Sequence, residues 1–278
     1  MVRRLALIGA SAVLAAGCGG SSSSPTAPTI AVARTYKLVA FTPARPVPAG
    51  KPATVSFVIQ QPNGKPLTQF KHGAGPHTGV HLIIVRRDLA TIVHRHPPEG
   101  AGGRFAQRVT LTDPGPYRVV VDAYPAGQPN FQLFGSLRVA GPYHPKPLPA
   151  FTRSVTVDGY TVTLHGSPKL HAIEADAIDA TVTGPNGKAA TFTPWYGALA
   201  HAIFFRAGSL DYFHTHICAP GAVGCTSVLA GTKVTGSSTR PGHLTIGVLV
   251  PAPGTWRLFL QFEPDGHVLT APFTLHVT

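Results

Sequence analysis

The chain has 278 residues, 44% of them hydrophobic and only 12% charged, with 30 Gly, 28 Pro and a formal net charge of +12. So many turn formers against so few charges exclude a coiled coil, a helical bundle and an acidic disordered protein, and no G-x-y period points to collagen. A turn-rich β protein remains, long enough for about two domains of roughly 100–200 residues each.

The first element is a targeting segment. Basic Met1–Arg4 precedes an apolar run, Leu5–Ala16, and small residues lead into Cys18. The run is too short for a spanning helix and has the plan of a secretory signal peptide. Leu14-Ala15-Ala16-Gly17-Cys18 resembles the lipobox of bacterial lipoproteins, with Leu14 at minus four and Ala15 at minus three. The resemblance implies a signal peptide over 1–17 and a diacylglycerol-bearing Cys18; the alternative is an ordinary secretory signal with an incidental cysteine. Residues 18–34, with Gly19-Gly20 and Ser21–Ser24 ahead of Pro25, form a flexible lipidated tether. The expected location is the cell envelope, with lipid anchoring to the outer face of the cytoplasmic membrane. In such an exported chain Cys218 and Cys225 form an even pair, and a disulfide closing a small loop is expected, with metal ligation as the rival.

Short strands punctuated by Gly, Pro and Asn turns follow. They are expected over 54–60, 80–85, 91–96, 105–111 and 117–123, and again over 160–164, 177–182, 200–205, 211–216, 244–250 and 256–262. The two sets are copies. Pro62-Asn63-Gly64-Lys65 recurs as Pro185-Asn186-Gly187-Lys188, His81 and His94-Arg95-His96 recur as His201 and His214-Thr215-His216, and Pro114-Gly115-Pro116-Tyr117-Arg118 recurs as Pro253-Gly254-Thr255-Trp256-Arg257. The offset grows from 120 at the histidines to 139 at the last pair, so the second copy carries an insertion at about 217–241 that holds both cysteines. The expected architecture is all-β: two tandem immunoglobulin-like antiparallel β-sandwich domains, 35–142 and 151–278, joined by a Pro-rich linker at 143–150. Asp113–Tyr117 looks like the tyrosine corner of immunoglobulin-like folds, and Trp256 replaces that Tyr in the second copy.

Charge divides unevenly between the copies. Residues 35–141 hold 12 Lys and Arg against 4 Asp and Glu, whereas 151–278 hold 7 against 7. The basic copy lies nearer the anchor and suits anionic headgroups or wall phosphates, or is simply a solvated face. The scattered charges and missing aromatic platform speak against a nucleic-acid partner.

The histidines offer the only chemistry. With two-residue turns at Arg87-Asp88 and Ala207-Gly208, His81 falls opposite His94 and His201 opposite His214, with His96 and His216 diagonal on the same face. Three imidazoles on one face of adjacent strands can converge on a divalent ion, and neutral imidazole suits Cu(II) or Zn(II). Half-buried histidines bonded to loops are the plain alternative. His72 and His77, in a Gly-rich loop before the first triad, could add a ligand but are expected as solvated loop residues, and Asp122 and Glu263 as surface acids. No Gly-x-Ser-x-Gly elbow, His-Glu-x-x-His helix, phosphate loop or carboxylate pair is present, so no enzyme activity is expected.

With His81–Leu89, His94-Arg95-His96-Pro97 and the Pro-Gly-x-Tyr/Trp-Arg strands, the chain resembles a group of actinobacterial secreted proteins and lipoproteins similar to YtkA-like and FixH-like immunoglobulin-type modules. The resemblance implies an envelope location and an association with metal handling. Two functions are expected from these readings. One is an envelope-anchored lipoprotein binding Cu(II) or Zn(II) through its His triads, as a store, chaperone or sensor module. The other is a metal-free tandem interaction protein whose basic first domain meets cell-wall polymer, membrane or an envelope protein.

Overall fold

From Lys37 to Val277 the chain alternates strands with turns, and all eleven segments expected from the sequence are strands. The computed structural model describes residues 35–278 apart from Ser167 and Ala230. The expected signal peptide and tether, with Cys18, therefore lie outside the described residues.

The first module holds β1 (Lys37–Thr42), β2 (Pro52–Gln60), β3 (Val80–Arg86), β4 (Ile92–Arg95), β5 (Arg104–Thr110), β6 (Gly115–Ala123) and β7 (Phe131–Val139). These form a three-stranded sheet, β1-β2-β5, and a four-stranded sheet, β4-β3-β6-β7, all antiparallel. Such a three-on-four sandwich is the immunoglobulin-like arrangement the strand count predicts.

The second module holds β8 (Ser154–Val157), β9 (Tyr160–Leu164), β10 (Asp176–Thr183), β11 (Ala200–Arg206), β12 (Tyr212–Cys218), β13 (Thr226–Leu229), β14 (Thr232–Ser237), β15 (His243–Val248), β16 (Gly254–Phe262) and β17 (Leu269–Val277). Its order β17-β16-β11-β12 matches β7-β6-β3-β4. The insertion supplies β13 and β14, and β14 pairs with both β12 and β15, joining the two sheets of this sandwich along one edge. The structure also pairs Cys218 with Cys225, which closes the loop at the start of the insertion.

Each module has its own core. Val80, Leu82 and Ile84 of β3 meet Phe57, Ile59 and Phe105, while Ala202 and Phe204 of β11 meet Ile246, Trp256 and Leu258. A strand that covers a core on one side normally alternates apolar and polar residues. The β3 segment Val-His-Leu-Ile-Ile-Val-Arg does not, and every residue of it is buried. Its second face is covered by the other module: Ile83, Val85, Leu89 and Val120 pack against Ile203, Phe205, Leu210 and Phe259 in a shared core. The two modules thus meet through the same sheet face, as two subunits meet in an isologous dimer. The linker follows this joint, with Lys146 N–H donating to Asp88 and Arg86 donating to the His144 carbonyl.

Candidate metal centre

The hairpins that carry the histidines have four-residue loops, not the two-residue turns expected. Arg86 N–H donates to the Thr91 carbonyl at 3.0 Å, and Arg206 N–H to that of Asp211 at 2.9 Å. Leu89 and Leu210 take positive φ, 60° and 61°, and both are buried in the shared core, which offsets the cost of about 1–2 kcal/mol for a side chain in that region. The register therefore moves by two residues. His201 lies opposite His216, Ile203 opposite His214 and Ile83 opposite His94, which leaves His81 level with His96. An even shift keeps every side chain on its expected face, so all six histidines still share one.

That face is the joint between the modules, and the two expected triads merge into one cluster. His94 has His201 and His214 of the other module at 5.0 and 5.2 Å between ring centroids, and His81 has His214 at 5.2 Å. Two groups of three have ligand nitrogens within 4.8 Å of one another, close enough to share a metal ion. His201, His214 and His216 form the second triad as expected; in the other group, His81 and His94 are joined by His214 in place of His96. His96 is half-buried, stacked between His81 at 3.8 Å and Tyr196 at 3.7 Å.

Hydrogen bonds fix the direction of the rings. His81 Nε2–H donates to the Pro76 carbonyl and His201 Nε2–H to that of Trp195, each at 2.8 Å. His94 Nδ1–H donates to Gln261 Oε1 at 3.1 Å. A neutral imidazole that donates through one nitrogen keeps a lone pair on the other. Those remaining atoms are His81 Nδ1 and His94 Nε2, both buried without a partner, and His201 Nδ1, which lies 3.3 Å from His214 Nε2. That separation is about what two ligands on a tetrahedral ion with bonds of roughly 2.0–2.1 Å would have. Both nitrogens of His216 are also buried and unpartnered. Each such atom costs about 1–3 kcal/mol if nothing satisfies it.

Six rings at the joint are also held uncharged. Burial, then repulsion from neighbouring histidines, keeps His81, His94, His201 and His216 well below the ordinary range. Burial and His214 push His77 down to about 4 and His96 to about 3.

Asp122 and His77 are the residues sequence reasoning misplaced. Asp122 is 2% exposed, not a surface acid, and sits opposite His81 on β6. Tyr124 and Tyr212 donate to its Oδ2 and Gln132 to its Oδ1, at 3.1–3.2 Å. Burial and the Asp122 charge raise both phenols well above their usual range, so they remain donors. Its Oδ2 lies 3.9 Å from His214 Nδ1 of the other module. The equivalent position in the second module, opposite His201, is Gln261, which holds His94 of the first. His77 is half-buried against the His216 ring at 4.5 Å, whereas His72 is exposed as expected. Arg95 is exposed and donates to its own module's His94 carbonyl, so its charge stays outside the cluster. Trp195, Tyr196 and Gln261 carried no signal in the sequence, and only the docking of the modules brings them to His94.

The family model described as "Domain of unknown function (DUF8832)" matches residues 35–137 and 155–278. No curated protein matches the chain. Among solved structures, the chain is similar to a Salmonella alpha-2-macroglobulin mutant, at 12% identity and a TM-score of 0.28, over 87% of this chain and 15% of that one. It is similar to the fibronectin(III)-like modules of Clostridium thermocellum CbhA at 12% identity and a TM-score of 0.24, over 87% and 93% of the respective chains. It is also similar to invasin, a bacterial integrin-binding protein, at 15% identity and a TM-score of 0.23, over 87% of this chain and 39% of that one.

Proposed function

The chain belongs to the family described as a domain of unknown function, DUF8832, and from the centre both modules build we propose that it binds Cu(II) or Zn(II) between them. The observation that carries this reading is the orientation of the rings. Three imidazoles donate outward to Pro76, Trp195 and Gln261 and turn their lone pairs inward, where His214 and His216 complete the two groups. Metal-ligating histidines are usually held in this way, the outer N–H tied to a carbonyl or carboxylate so that tautomer and ring plane are fixed. With His214 Nε2 as ligand, its proton would sit on Nδ1, toward Asp122.

The donor set is imidazole nitrogen, which suits Zn(II) and Cu(II). Neutral rings leave the ion's charge uncompensated except by Asp122, the one carboxylate found at the cluster among the described residues. Such a centre is suited to hold, deliver or sense an ion. The lipobox-like Cys18 and the disulfide agree with a place in the envelope, where exported proteins meet both metals.

Calorimetric titration of the purified protein with Cu(II) and Zn(II) tests the reading, beside a variant with His201, His214 and His216 changed to Ala. Tight binding that the variant loses is expected. Binding no tighter than roughly 0.1 mM, about 5.5 kcal/mol, overturns it. In that event the basic first module becomes the place to seek a wall or membrane partner, by salt-dependent binding to anionic vesicles or wall polymer.

A further inference from the structure

The two three-histidine groups have one member in common. His81, His94 and His214 form one, and His201, His214 and His216 the other. A neutral imidazole keeps a lone pair on one nitrogen only, so His214 serves one ion at a time and two ions cannot both hold a full triad. Resting on the reading that the cluster binds a metal, and going past it, we propose that the centre is a two-position relay: a single divalent ion exchanges His81 and His94 for His201 and His216 while His214 stays bound.

Three observations support the exchange. The positions are adjacent, since the His94 and His201 rings are 5.0 Å apart and those of His81 and His216 5.7 Å, so the ion travels only a few ångströms. The exchange is also balanced. Two nitrogen–metal bonds break and two form; His81, His94 and His201 keep their protons on the outward nitrogens that donate to Pro76, Gln261 and Trp195. No proton leaves and no electron moves. Finally, the cluster has two openings. One pocket is lined by His94, Gln261, Trp195 and Tyr196, and another by His214, His77, Asp122 and Tyr212.

The two openings are counterparts under the internal duplication, because His94 and Gln261 occupy the strand positions that His214 and Asp122 occupy on the opposite side. They differ in one charge. Asp122 puts a negative charge at the mouth beside His214, and the neutral amide of Gln261 puts none at the other. A centre of this form moves an ion between two positions instead of locking it in one cage.

The test uses Cu(II) with the full chain, its stoichiometry by calorimetry and its coordination by electron paramagnetic resonance of the frozen complex. Variants are His81→Ala with His94→Ala, His201→Ala with His216→Ala, and His214→Ala with His214→Gln beside it. Expected are one Cu(II) per chain in the parent with two overlapping signals, and one Cu(II) with a single, different signal in each double variant. His214→Ala should weaken binding by at least about 10-fold, since losing a direct ligand costs no less than losing an outer partner of one. Two ions per parent chain, a single parent signal shared by both double variants, or a double variant as weak as His214→Ala each overturns the relay while leaving metal binding intact. A parent that binds no Cu(II) overturns the metal reading itself. If thermal melts show that neither His214 variant folds, the parent and the double variants decide alone.

Discussion

Asp122 Oδ2 faces His214 Nδ1 across the module joint at 3.9 Å, and the position that holds Asp122 in the first module holds Gln261 in the second. A carboxylate behind a ligating imidazole makes the ring a better donor and compensates part of the ion's charge; an amide only orients it. Asp122→Asn keeps the size of the side chain and removes the charge. We expect Cu(II) or Zn(II) affinity to fall by about 10–100-fold, measured by calorimetry, with the fold retained. Unchanged affinity would show that Asp122 serves only Tyr124, Tyr212 and Gln132.

The corner residues make a second, purely structural prediction. Tyr117 donates its hydroxyl to the Asp113 carbonyl, four residues earlier, at 2.7 Å, and Trp256 donates its indole N–H to the Ala252 carbonyl, also four residues earlier, at 2.9 Å. The Trp that looks like a departure in the sequence makes the same bond from the same place. Tyr117→Phe should cost about 1 kcal/mol, the usual net worth of one hydrogen bond. Trp256→Phe should cost more, because Trp256 is fully buried and its loss also leaves a cavity. Urea denaturation midpoints check both.

Local signals such as the alternation of apolar residues, the Asn-Gly turns and the duplication were enough to read β2 to β6 and their copies. Strands β1 and β17 were harder, because β1 carries a register shift between Val39 and Thr42 and β17 carries Pro272 on a sheet edge. That the histidines share one face was legible, since that depends only on even spacing. Their partners were not. Whether His81 pairs with His94 or His96 depends on loop length, and whether it meets His214 depends on modules docking through Ile83 and Phe259, which no local pattern encodes. One hint was available: β3 is apolar on both faces, so its second face had to be covered.

Stability of the metal-free protein should depend on pH in a defined direction. In the unfolded chain the imidazoles take up protons as pH falls through about 6.5. In the folded protein His77 resists protonation down to about 4 and His96 to about 3, and His81, His94, His201 and His216 are also held well below their usual range. The unfolded state therefore binds more protons below about pH 6.5, and each histidine withdraws up to about 1.4 kcal/mol of stability per pH unit in its window. The denaturation midpoint should be flat above pH 7 and fall steeply from pH 6.5 toward 4, and less steeply in His77→Gln. An equal midpoint at pH 7 and pH 5 would contradict the burial of neutral rings.

If the ligands belong to both modules, metal binding and module docking must be linked. Phe259 lies in the shared core and Phe57 in the core of the first module, both at most 1% exposed. Truncating either to Ala should cost about 3–5 kcal/mol, so stability alone will not separate them. Metal affinity will. A ligand that binds only the docked form adds about 2.7 kcal/mol at a free concentration of 100 Kd. In Phe259→Ala part of the binding energy must restore the joint, so apparent affinity for Zn(II) should fall although every histidine remains. In Phe57→Ala the joint is untouched, and the folded protein should bind Zn(II) as the parent does. Calorimetry on the two variants below their melting temperatures makes the comparison, and equal affinities would place all essential ligands within one module.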